Sequence, residues 1–348
     1  MEYFSLFGGQ LKSHHKETYA KSSQWDGTKF VNLEETVMEF SWSDLPELLR
    51  KQFFDKENRE PSHPIPIVPF DRQAFLAPSD QMKYIWYGHS VVLLRLAGKT
   101  LLIDPMLGDN ASPIAPFATK RFSPNTLSLI EDFPEIDLLL MTHDHYDHLD
   151  YASIQALKSR VKHYFVALGV GRHLEEWGIA PEKITEFDWW DAHPLADIQI
   201  TFTPSRHFSG RGLTDRAKSL WGGWAFKTET EALYFSGDGG YGHHFKDIGS
   251  RLGPFDFGWM ECGQYNKSWH QIHMYPEESV QAALDAGVQQ ATPVHWAGFA
   301  LAQHDWDEPA NRFWNEANKQ GMPLLLPAPG ELLSDRKKVY EPWWKALS

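Results

Sequence analysis

The ten residues MTHDHYDHLD, 141 to 150, hold three histidines and three aspartates directly after an apolar run. Imidazole and ionised carboxylate are donors that suit a divalent metal ion. Six such groups in ten residues repel one another or stay poorly satisfied unless a cation organises them. A solvated turn also favours Asp, but at lower density. In an extended segment His143 and His145, two apart, point the same way and can share one ion. Asp147 and His148 are adjacent and diverge, so the spacing predicts two ions side by side.

Two ions need more donors than these four. Ligands to one cluster should converge at one edge of the sheets, so the remaining candidates are those that directly follow a predicted strand. His207 in ITFTPSRHF, Asp238 in ALYFSGDGG and His295 in QATPVHW satisfy that condition. His163, inside VKHYFVAL, reads as packed within or beside a strand. His14, His15, His63, His173, His193 and His304 fall in polar or loop contexts and read as surface or structural residues. His89, His243, His244, His270 and His273 are intermediate, able to line a pocket or to support the ligands.

These donors need strands to carry them. From Met82, KYIWYGHSVVLLRLAGKTLLIDP contains two apolar-rich runs joined at AGK and predicts a strand and hairpin system. IDLLLMTH is a buried strand running into the decapeptide, and DYASIQALKSR after it is a helix with Asp150 as its cap. VKHYFVAL followed by GVGRHLEEWG repeats that order, and IQITFTPS, WAFKTE and ALYFSG are further strands. YPEESVQAALDAG is a helix with Pro276 and two glutamates in its first turn and Gly287 near its end; it leads to the short strand VQQATPVHW. Hairpin strands followed by alternating strands and helices predict one α/β domain over residues 81–348, with sheets covered by helices. Residues 1–80 read as an arm that wraps this domain: polar, with one helix at SWSDLPELLRKQFFDKEN and then the extended, proline-rich EPSHPIPIVPF.

The chain has 348 residues and 42% hydrophobic content, enough for a sizeable core. Its formal net charge of −13 argues against a nucleic-acid partner, because that affinity rests on Lys and Arg neutralising phosphates. The single cysteine, Cys262, excludes an intrachain disulfide and a Cys-based zinc site. No apolar run forms a signal-peptide core or approaches the roughly 18 residues of a membrane span. A soluble, cytoplasmic protein is expected. Peripheral contact with a membrane is open, and MLGDNASPIAPFATKRF is the candidate loop for it, against the plainer reading as a surface loop. The 15 tryptophans read as core packing and loop anchors, with an apolar pocket or membrane-facing rim as the sharper alternative.

His143, His145, Asp147 and His148 spell HxHxDH, and His207, Asp238 and His295 follow in order, so the chain resembles the metallo-β-lactamase fold superfamily. Within it, WYGHSVVLL, LIDPMLGDNASP, KRFSP, DWWD, FTPSRHF, LWGGWAF, GDGGY, HMYPEESV and VHWAGFAL resemble N-acylphosphatidylethanolamine-hydrolysing phospholipase D and its bacterial relatives, over about residues 83 to 302. The resemblance implies a four-layer αββα sandwich with two zinc ions at one edge. It places His143, His145 and His207 on one ion, Asp147, His148 and His295 on the other, and Asp238 between them. Iron, manganese or nickel accept the same donors. Relatives that use a di-iron site for electron transfer carry Glu where this chain has His145, which points to hydrolysis. One departure stands out: the family's Gly-Asp-Thr-Gly is Gly-Asp-Gly-Gly here, with Gly239 in place of Thr.

The expected activity is a dinuclear zinc-dependent hydrolase whose metal-bridging hydroxide attacks a phosphodiester, with an N-acylphosphatidylethanolamine-type phospholipid as the lipid candidate. Two divalent ions against two aspartates and a hydroxide leave about one positive charge, which lets an acidic protein accept such an anion. Asp147 is the candidate for orienting the nucleophile, and His273, with His89 and His243, for contacting substrate oxygens. A lactonase or other small-ester metallohydrolase on the same fold is the alternative. A non-catalytic metal-binding protein is the alternative from another class.

Overall fold

The computed structural model describes residues 6–38, 46, 50, 58–112, 119–212 and 214–347. The helix expected over 41–58 falls almost wholly outside them, as does the centre of the loop at 106–122.

Among the described residues, thirteen strands form two sheets. The first is built from β1 (Lys83–Trp86), β2 (Val92–Leu96), β3 (Lys99–Ile103), β4 (Ile136–Met141), β5 (Val161–Ala167), β6 (Ile184–Phe187) and β13 (Leu332–Leu333), in the order β13-β1-β2-β3-β4-β5-β6. The second contains β7 (Ala192–Leu195), β8 (Ile198–Thr203), β9 (Gly223–Lys227), β10 (Ala232–Phe235), β11 (Phe257–Glu261) and β12 (Ala291–Val294), in the order β12-β11-β10-β9-β8-β7. Each sheet is antiparallel where hairpins build it and parallel where crossovers do. Thus β1, β2 and β3 pair antiparallel while β3, β4, β5 and β6 pair parallel. Likewise β8 and β9 pair antiparallel while β10, β11 and β12 pair parallel. Helices α1 (Ser13–Tyr19), α2 (Arg72–Leu76), α3 (Tyr151–Leu157), α4 (Gly171–Glu176), α5 (His244–Leu252), α6 (Pro276–Asp285) and α7 (Glu308–Gln320) flank these sheets, giving the expected αββα sandwich.

The two apolar-rich runs expected before Pro105 prove to be three strands. The first run breaks at Gly88 and His89, both left-handed (φ 82° and 52°), which separates β1 from β2 and turns His89 toward the other sheet. Central strands such as β4 bury nearly every side chain, as strands covered on both faces must. The sheets meet through aromatic groups. Tyr84 of β1 packs edge-on against Trp259 of β11 at 5.1 Å, and its hydroxyl lies 2.6 Å from Thr292 Oγ1 of β12. Trp86, Trp221, Trp224, Trp259, Trp296 and Trp344 are fully buried, so these tryptophans serve the core.

Residues 6–38 lie across the loop that follows β8. Phe30 N donates to Ala217 O (2.9 Å), Asn32 Nδ2 to His207 O (2.9 Å), Arg206 Nη2 to Glu35 O (2.7 Å) and Arg211 Nη2 to Leu6 O (2.8 Å). Among the described residues, no helix is long and apolar enough to cross a membrane.

The helix after the decapeptide starts as its sequence predicts: Asp150 Oδ2 accepts from Ser153 N at 2.8 Å. Replacing Asp150 by Ala should lower stability by about 1 kcal/mol, the usual worth of such a cap. Urea unfolding checks this; the midpoint falls and the slope stays unchanged.

Candidate metal centre

Every candidate donor sits just beyond the C-terminal end of a strand. Those of the decapeptide follow β4, His207 follows β8, Asp238 follows β10 and His295 follows β12, so both sheets deliver donors to one edge. An isolated bridge closes that edge: His89 N donates to Trp296 O (2.7 Å) and His295 N to His89 O (2.8 Å).

His143, His145 and His207 present ring nitrogens close together. His145 Nδ1 is 2.9 Å from His143 Nε2 and 3.2 Å from His207 Nε2. Asp147, His148 and His295 gather beside them, with His89 as a fourth member. Asp238 stands between the sets. Its Oδ2 is 3.9 Å from His143 Nε2, 3.0 Å from His148 Nε2 and 3.3 Å from His295 Nε2. All seven residues expected as ligands therefore meet at one place.

The far side of each ring shows which nitrogen is free. His207 Nδ1 donates to the Ile272 carbonyl (2.9 Å) and His148 Nδ1 to Asp104 Oδ2 (2.8 Å). Thr142 Oγ1 donates to Asp104 Oδ2 (2.6 Å) and so accepts from His143 Nδ1 (2.9 Å). In their neutral forms these rings turn bare Nε2 lone pairs toward one another and toward Asp238. Buried lone pairs facing a carboxylate repel it unless a proton or cation lies between. His295 Nε2 is buried with no hydrogen-bond partner among the described residues. Burial and the neighbouring imidazoles push His143, His207 and His295 well below the ordinary histidine pKa. Burial resists charge on His148 too, but Asp238, Asp147 and Asp104 outweigh it and raise its pKa well above that value. Neutral His143, His207 and His295, with His148 holding a proton between the carboxylates that a cation can displace, form a donor set that divalent cations satisfy.

The residues that orient the donors were less visible in the sequence. Buried Asp104, directly after β3, accepts from Thr142 N (2.8 Å) as well as from the Thr142 hydroxyl and His148. It lies in LLIDP, the same strand-end context that identified the other donors. His89 Nε2, 2.8 Å from Asp147 Oδ2, holds that carboxylate in place. Glu261, at the end of β11, accepts from His273 Nδ1 and from Gly239 N (2.9 Å); burial pushes its carboxyl up to about 8 against the pull of His273. At Gly239 a Cβ would stand 3.1 Å from Arg206 N and 3.3 Å from Ser205 Cβ, a tight fit that the neighbours would have to ease by a few tenths of an ångström.

His273 stacks on His295 at 5.2 Å and meets His207 edge-on at 4.9 Å, bordering the cluster. His243 does not join it; its side chain is 71% exposed and lies 3.4 Å from Asp247. His173, one of the histidines read as surface or structural, is fully buried and so structural. Its Nε2 is 3.2 Å from Asp144 Oδ2, and Asp144 also accepts from Gly210 N (2.7 Å) and the Ser219 hydroxyl. Asp144 thus ties the loop carrying His143 and His145 to the loop carrying His207.

The beta-lactamase superfamily domain matches residues 99–296. An uncharacterised protein of Mycobacterium tuberculosis is 37% identical over 290 residues, which is 82% of this chain and 77% of that protein. The N-acyl-phosphatidylethanolamine-hydrolyzing phospholipase D 1 of Caenorhabditis elegans is 32% identical over 234 residues, 64% of this chain and 65% of that protein. Among solved structures, a metallo hydrolase from Ignicoccus hospitalis superposes with a TM-score of 0.56 at 18% identity, over 72% of this chain and 97% of that one. An isothiocyanate hydrolase from Delia radicum gut bacteria gives 0.57 at 19% identity, over 73% and 98%. At those identities the structures show a shared fold.

Burial opposes charge on Asp144, but His173, Arg172 and Ser219 outweigh it and hold its carboxyl well below the usual range. Asp144→Ala strips several buried donors of their acceptor and should cost about 3 kcal/mol at pH 7. A depressed carboxyl stabilises the fold above its unfolded value, about 3.9, and loses that contribution as pH falls through the lower folded value. The gap between wild type and variant, read by urea unfolding, should therefore hold down to about pH 4 and narrow below it.

Proposed function

The chain belongs to the beta-lactamase superfamily of metal-dependent hydrolases, and from that premise we propose that it cleaves a phosphodiester at a pair of zinc ions. The observation that carries the reading is Asp238, whose one carboxylate oxygen lies within 4 Å of ring nitrogens from both sets of donors. In this reading His143, His145 and His207 hold one ion, Asp147, His148 and His295 the other, and Asp238 joins them. When bound, the ions supply Lewis acidity and a nucleophile available near neutral pH.

The chain's own residues do the rest. His89 orients Asp147, and Asp104 fixes the tautomer of His148, as partners of metal ligands commonly do. Glu261 takes the Nδ1 side of His273, so the other nitrogen is the one that meets a substrate oxygen. A phospholipid of the N-acylphosphatidylethanolamine type is the proposed lipid substrate. Likeness to the nematode phospholipase supports it, and so do Leu33, Val37 and Met38, exposed apolar residues on the segment lying beside the His207 loop. The same residues suit peripheral contact with a membrane surface.

Zinc-loaded protein should hydrolyse bis(p-nitrophenyl) phosphate and lose that activity on chelation. His145→Ala should lower kcat/KM at least about 100-fold. Assays of phospholipids in detergent micelles beside a lactone panel separate the substrates. Efficient lactone opening with no turnover of any phosphodiester would overturn the reading.

A further inference from the structure

A cavity of about 700 Å³ opens beside the centre, lined by His207 and Ile272 and by Leu33, Met38, Phe208 and Arg216. Phe208 is packed against the donors themselves, its ring 4.5 Å from that of His145 and 5.0 Å from that of His207. Arg216 lies over the same phenyl ring, its guanidinium carbon 3.8 Å from the centroid. Those two contacts put the cation within roughly 8 Å of the metal-binding edge, about one Debye length at physiological salt.

The other arginines around this loop are engaged. Arg172 Nε donates to Gly9 O (3.1 Å), Arg206 Nη2 to Glu35 O (2.7 Å) and Arg211 Nη1 to Asp144 O (2.8 Å). Arg216 has only the face of Phe208 and the Met38 sulfur, 3.2 Å from Nη2, and no carboxylate within ion-pair distance among the described residues. Two acidic residues also line the cavity, but Glu34 is turned to the backbone N of His243 (2.8 Å) and Glu35 makes no ion pair with Arg216. The guanidinium is therefore held by apolar and soft contacts, and its N–H groups other than the one on the Met38 sulfur are left for an oxyanion. In a chain of net charge −13 the overall field opposes an anionic substrate, so a local cation beside the centre has a large effect on its capture.

We propose that Arg216, seated on Phe208 in this cavity, binds a second anionic group of the substrate, a carboxylate or a phosphate set apart from the bond that is cleaved. The proposal rests on the phosphodiesterase reading and narrows its substrate: N-acylphosphatidylethanolamine itself carries no anion beyond the phosphodiester, so a substrate that fills this site has a further charged substituent on one side and, toward Leu33 and Met38, an apolar one. Arg216 then acts in binding and specificity.

Calorimetric titration of the zinc-loaded full chain with octanoate and with octyl phosphate tests this. For the anion that the site takes, Kd should rise in the order of lost charge, R216K, R216Q, R216E, with at least a tenfold rise in R216Q. Loss confined to octanoate assigns a carboxylate; loss with octyl phosphate assigns a phosphate. Thermal unfolding and metal content of each variant separate loss of the fold from loss of the site, and R216K keeps the test readable if R216E does not fold. A change under threefold in both R216Q and R216E, or no binding of either probe to the wild type, overturns the proposal. The phosphodiesterase reading fails separately: wild type that binds octanoate through Arg216 but hydrolyses no phosphodiester would sink that reading and leave the anion site standing.

Discussion

Buried lone pairs pointed at buried carboxylates repel, and the rest of this structure is arranged around that constraint. Asp238 Oδ2 faces ring nitrogens of His143, His148 and His295, while His145 and His207 crowd the next position. Such a cluster is costly to assemble without a cation, and the fold offsets the cost elsewhere. Two sheets bury apolar strands against each other, and their strand ends bring the donors to one edge. Hydrogen bonds behind the rings, to Asp104, Thr142, Ile272 and Ser90, fix each orientation. The donors are thus set in place before any ligand arrives.

The backbone carries part of the strain. His89, Asp104 and His295 adopt left-handed conformations (φ 52°, 43° and 66°), each typically costing on the order of 1–3 kcal/mol for such residues. They persist because each is held from both directions. His89 and His295 exchange backbone hydrogen bonds across the two sheets, and Asp104 N donates to Leu140 O (3.0 Å) while its side chain grips Thr142 and His148. Strain placed in this way turns side chains inward where an extended backbone would alternate them.

The gathering of the candidate donors was legible because residue types that suit a metal stand in order at strand ends. The long apolar strands and the capped helix after Asp150 were legible for the same local reasons. Asp104 meets the same positional condition, but a single Asp before Pro also reads as an ordinary turn. Glu261 is hidden in the sequence because FGWME is short and its partners, His273 and Gly239, are distant along the chain. His173 looked polar in context, yet its helix turns it inward onto Asp144. Helices α5 and α7 are largely polar in composition, and their apolar faces are narrow, carried by Phe245 and Ile248 in one and by Ala310, Phe313 and Ala317 in the other. The short, polar β6 and β7 are edge strands whose pairing is decided by neighbours.

The central claim is that two divalent ions share Asp238. Anomalous X-ray scattering at the zinc edge, from crystals grown with zinc, measures this directly. Two peaks are predicted, one among His143, His145 and His207 and one among Asp147, His148 and His295, with Asp238 between them. No peak at this edge of the sheets, or a single peak that leaves one of the two sets empty, would contradict the account.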